Sequence, residues 1–146
     1  MKRLKIIITL IIVLLAFASQ AYARPKIHGE AIELAKKCIM ITYETSGIEI
    51  SAQEMIEYTL KQEGVFAKGW KVVDVSESVY AVTYGWSCDK GDRFFLFHVI
   101  PKDNIAQNID TTRTKPDMEK YFAHIRTIST YSKEKLDSKW TSLFLD

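Results

Sequence analysis

No two of the three histidines, His28, His98 and His124, have the HxxxH or HExxH spacing that sets two metal ligands on one helical face. The two cysteines, Cys38 and Cys88, lie 50 positions apart and form no CxxC knuckle, which speaks against a structural zinc site. There is also no GxSxG, no glycine-rich phosphate loop and no paired-acid motif. Glu30 with Glu33, Glu54 with Glu57, and Glu134 with Asp137 have the spacing of solvated helix faces. No repeat or low-complexity tract interrupts the chain. These absences point to a protein without metal or cofactor and with no recognisable catalytic residue set.

An excess of positive charge is missing too, once the first residues are set aside. The chain opens Met1-Lys2-Arg3-Leu4-Lys5, continues with an apolar run from Ile6 to Ala18 broken only by Thr9, and reaches Ala21-Tyr22-Ala23. A basic start, a short apolar stretch and a small-x-small site are the three parts of a secretory signal peptide. A membrane-spanning helix wants about 20 apolar residues, more than this run supplies. The expectation is cleavage after Ala23, with an uncleaved anchor as the rival reading. No cysteine follows the site, so no lipoprotein-type lipid attachment is expected. The leader holds three basic and no acidic residues, leaving 17 Lys+Arg against 18 Asp+Glu in residues 24–146. A near-neutral remainder of this length reads as one domain. It gives no reason to expect nucleic acid as partner, and no stable membrane span after signal removal.

What is present in quantity is aromatic and β-branched residues between Trp70 and Ile100. Three such runs, separated by Ser76-Glu77-Ser78 and by Cys88 to Asp92, predict an antiparallel meander. Turns at Glu77-Ser78 and Lys90-Gly91 set Val73 opposite Val82, Tyr84 opposite Phe97 and Trp86 opposite Phe95. One face then carries Val73, Val75, Tyr80, Val82, Tyr84, Trp86, Phe95, Phe97 and Val99, a core face by composition. The other carries Trp70, Val72, Asp74, Ala81, Thr83, Gly85, Ser87, Phe94, Leu96 and His98.

The flanks read as helices. Ala31, Leu34, Cys38 and Ile41 recur at helical spacing between Glu30 and Tyr43. Ser51-Ala-Gln-Glu54 is a capping box opening a second helix that Gly64 ends. Ile105 to Ile109 suits a fourth, edge strand, and 111–115 a polar connector. Pro116 suits the first turn of a helix with Met118, Tyr121, Phe122, Ile125 and Ile128 on its stripe. Leu136, Trp140, Leu143 and Phe144 mark a last one. The fold class is therefore α+β, helices packed on a three- or four-stranded antiparallel meander.

Cys38 on the first helix and Cys88 on the core face both point inward. In an exported chain, that predicts a disulfide worth about 4 kcal/mol on the chain-entropy model. His98 is the one histidine in the meander. Asp74 is too far away across the middle strand to form a dyad with it. Small and polar residues in mid-sheet flanked by aromatics make Trp70, Thr83, Gly85, Leu96 and His98 the candidate binding face, unless the C-terminal helices cover it. The functional expectation is a small exported, periplasmic or secreted, non-catalytic domain binding a partner protein or small ligand. The alternative is a small exported hydrolase using His98.

Overall fold

The computed structural model describes residues 2–109 and 115–144. The expected connector at 111–114 lies outside the described residues, as do the side chains of Met118 and Phe144 and those of the Ala21-Tyr22-Ala23 site. The chain divides into two compact units, residues 1–30 and 31–146. The first is wholly helical over its described residues and forms most of helix α1, Lys2–Lys37. Among the described residues, no helix is long and apolar enough to cross a membrane.

The second unit has the expected α+β architecture. Strands β3 (Phe66–Ser76), β4 (Val79–Cys88), β5 (Gly91–Ile100) and β6 (Ile105–Ile109) form an antiparallel meander in the order β3-β4-β5-β6. The β5–β6 link is a 3-10 turn, Pro101–Asp103, closed by Asn104 in the left-handed region. A separate two-stranded sheet, β1 (Ile39–Tyr43) with β2 (Ile48–Ser51), leads into α2 (Ala52–Leu60). Helices α3 (Lys115–Ile128) and α4 (Lys133–Phe144) follow the meander.

Two cores result, one on each face of the large sheet. On the first, Val82, Phe97 and Val99 are fully buried against Ala31 and Ala35 at the end of α1. Two alanines there let the helix backbone come close to the sheet. On the second, Ala81 and Leu96 pack with Tyr121 and Ile125 of α3 and Leu136 and Leu143 of α4.

Three local outcomes differ from expectation. The helix expected through Tyr43 stops at Lys37, and Ile39–Tyr43 is a strand. Ile41 pairs with Ile50 and Tyr43 with Ile48 across a turn in which Gly47 takes a positive φ and bonds back to the Tyr43 carbonyl at 3.0 Å. Next, the second meander turn centres on Asp89-Lys90, because Cys88 pairs with Gly91. Tyr84 therefore meets Phe95 and Trp86 meets Arg93, an even shift that leaves every face assignment in β4 and β5 intact.

The third difference does exchange faces. The first turn sits where expected, with Ser76 opposite Val79, but Asp74 already pairs with Tyr80. Val75 is thus an extra residue, a β-bulge, and the rest of β3 slips by one. Val72 and Trp70 move to the first core and Val73 to the second. A further irregularity at Lys68 follows near the start of the strand.

Candidate functional site

His98 sits on β5 between Ala81 of β4 and Gln107 of β6, both its direct partners in the sheet. It is only 9% exposed. The reason is α3, whose Tyr121 and Ile125 are one turn apart and both point at this face. The His98 ring stands edge-on to Tyr121 with centroids 5.9 Å apart, and 6.1 Å from the ring of His124. Burial lowers the His98 pKa, and the neighbouring His124 lowers it further. Tyr121 is buried as well, its hydroxyl has no hydrogen-bond partner, and burial pushes its pKa up.

The other residues of the expected binding face separate. Leu96 is completely buried and Thr83 is 2% exposed beneath the C-terminal helices. Trp70 is on the opposite face, edge-on to Tyr84 at 5.0 Å and 6.1 Å from Phe97. The Val75 bulge put it there. Gly85 faces the Cβ of Lys68, which an added methyl would meet at 3.4 Å. The close approach that a mid-strand glycine signals is therefore made by the chain's own lysine, whose Nζ reaches Asp92 at 2.7 Å. Beside Gly85 and Thr83, a cavity of about 40 Å³ reaches Leu143. Thr83, Leu96 and His98 thus share a covered face, Gly85 lies at its margin, and Trp70 is elsewhere.

The cysteines are separate thiols. Cys38 Sγ donates to the Ala106 carbonyl at 3.5 Å, while Cys88 Sγ donates to the Gly91 carbonyl at 3.4 Å. Ala106 pairs with Val99 and Val99 with Tyr80, so Cys38 is level with Tyr80. Cys88 is eight residues further along β4, about 26 Å at the usual rise per strand residue. A disulfide needs Cα atoms within about 7 Å. The expected bond is not present: α1 ends before Cys38, and the hairpin carries Cys88 to the far end of the sheet. Burial raises the Cys38 pKa, partly offset by the Asn108 backbone N–H.

A polar cluster that the sequence did not reveal lies at the edge strand β3. The Asp74 carboxylate accepts from Tyr131 Oη and Lys139 Nζ, and Lys139 also lies over the Tyr131 ring at 5.5 Å. Burial pushes the Asp74 pKa up. The Lys139 and Tyr131 hydrogen bonds and the Lys139 charge outweigh that, so its carboxyl titrates below the usual range. The cluster fastens α4 to β3.

Among the described residues of the second unit, Phe66, Ile105 and Ile128 are exposed singly, while Tyr43, Ile48 and Tyr58 gather in one place. On the β1–β2 sheet, Ile41, Tyr43, Ile48 and Ile50 share one face by strand alternation, since Ile41 faces Ile50 and Tyr43 faces Ile48. Met55 and Tyr58 of α2 border it, and a concavity of about 450 Å³ lies among Ile41, Tyr43, Ile50, Met55 and Tyr58. Tyr58 is 65% exposed, Ile48 55% and Tyr43 49%. Glu54, on the rim, is held by the capping box, accepting from the Ser51 N–H at 2.8 Å. The sequence signal for this surface was the Ile-x-Ile-x-Tyr and Ile-x-Ile alternation on either side of Gly47. No family model matches the chain, and no curated protein or solved structure matches it.

Proposed function

We propose that this chain is an exported, non-catalytic binding domain that meets a partner protein through the apolar face of β1, β2 and α2. The observation that carries the reading is the clustering of Ile41, Tyr43, Ile48, Ile50 and Tyr58 on a surface whose opposite side carries Thr42 and Glu49. Large apolar side chains scattered singly need no explanation, but a contiguous set around a concavity marks a contact surface. Two tyrosines supply the amphipathic, low-entropy contact area typical of such surfaces. Glu54 puts one carboxylate on its rim, which suits a partner with a basic residue beside an apolar centre. The basic start, apolar run and Ala21-Tyr22-Ala23 site support export.

The test is site-specific photo-crosslinking in the exporting cell. A crosslinking residue placed at Tyr58 should yield a discrete protein adduct, and one at Lys90 on the far hairpin turn should not. Adducts from both positions, or from neither, count against this surface.

A further inference from the structure

We propose that His98 and His124 together bind a divalent transition-metal ion, with zinc as the probe, at the seam between β5 and α3. These two imidazoles come from different elements and have no spacing motif in the sequence, which is why neither was singled out as a ligand. Their ring centroids are 6.1 Å apart and their planes inclined by 38°. Zinc–nitrogen bonds of about 2.0–2.1 Å, with about 1.2 Å from each nitrogen to its ring centre, place two ligating imidazoles about 5.3 Å apart at a tetrahedral angle and about 6.5 Å when opposed. The observed separation lies inside that interval.

The surroundings point the same way. His98 is only 9% exposed whereas His124 is exposed, so a metal between them has one anchored ligand and one approach from solvent. The Tyr121 ring stands edge-on to His98 at 5.9 Å, which closes the buried side of the pair. Among the described residues no group of three or more His, Cys, Asp or Glu is placed to hold a metal ion. The protein therefore supplies two ligands, and solvent fills the remaining positions. Imidazole donors select zinc, copper and nickel over magnesium or calcium. A site of this kind links α3 to the sheet, so occupancy stabilises the folded state by mass action.

The chain has three histidines, which makes the test compact. The chain as recovered after export, carrying Cys88→Ser to remove the half-exposed thiol as a competitor, is titrated with zinc chloride by calorimetry and melted with and without the metal. One zinc per chain in the micromolar range is expected, with a rise in melting temperature. His124→Gln, a surface change that leaves the fold intact, should weaken binding at least tenfold and abolish the rise, as should His98→Gln. His28→Gln should leave both unchanged. Absence of binding below about 1 mM overturns the site, as does affinity that survives His124→Gln or falls only with His28→Gln.

Discussion

Lys139 of α4 rests its ammonium on the carboxylate of Asp74, and the same carboxylate accepts the hydroxyl of Tyr131, so one acidic residue on an edge strand holds two groups of the C-terminal segment. Both charged side chains are about a quarter to a third exposed, which places the pair between a surface contact and a buried one.

Asp74→Asn should lower stability by about 1.5–3 kcal/mol near neutral pH, the range for hydrogen bonds to a charged group. Because the folded-state pKa of Asp74 is depressed, its contribution is complete above the unfolded carboxyl pKa of about 3.9. It is lost as pH falls from there through the folded value. Urea melts of both proteins should therefore differ most at pH 6–7 and converge towards pH 2. A gap that widens on acidification would contradict the sign.

Ser76 is 4% exposed. It donates to the Ile128 carbonyl at 3.1 Å and accepts from the Thr130 N–H at 3.3 Å. Nearby, Ser129 Oγ donates to the carbonyl of the bulged Val75. The α3–α4 link is thereby fixed to the β-bulge. Ser76→Ala leaves both backbone groups without that partner and should cost about 1–3 kcal/mol, read as a lowered denaturant midpoint with unchanged slope.

Tyr121→Phe removes a buried hydroxyl that has no partner and keeps the ring against His98 and Trp140. It should stabilise the metal-free protein by about 1 kcal/mol, measured by chemical denaturation. A loss of similar size would mean that the hydroxyl is satisfied in solution.

The proposed export predicts a mature chain that begins at Arg24. Intact-mass measurement of the protein recovered outside the cytoplasm decides between this and a retained anchor, which would keep Met1 to Ala23.

Much of the meander was legible because its signals are local. Ser51 and Glu54 form the expected capping box, and β4 and β5 keep their faces because period-two alternation survives a two-residue register error. The Val75 bulge has no such mark: Val73, Asp74 and Val75 read as an unbroken strand, and only pairing reveals which residue is extra. Ile39 to Tyr43 failed differently, since its apolar spacing fits a helix and a strand alike, and the partner strand decides. For the candidate face, tertiary cover was the missing information. Sequence alone did not say whether the α3 and α4 stripes would pack on Thr83, Leu96 and His98, and Tyr121, Ile125, Leu136 and Leu143 do.

Every strand of the large sheet lies beside its neighbour in sequence, and its first two hairpins close through two-residue turns. Little chain entropy is lost in bringing such strands together, so the topology favours rapid zippering over a search for distant partners. The interior strands β4 and β5, paired on both sides, are the most protected part of that sheet. In amide hydrogen exchange, the amides of Val82 and Phe97 should be among the last to be lost, and those of the marginal β1–β2 pair among the first.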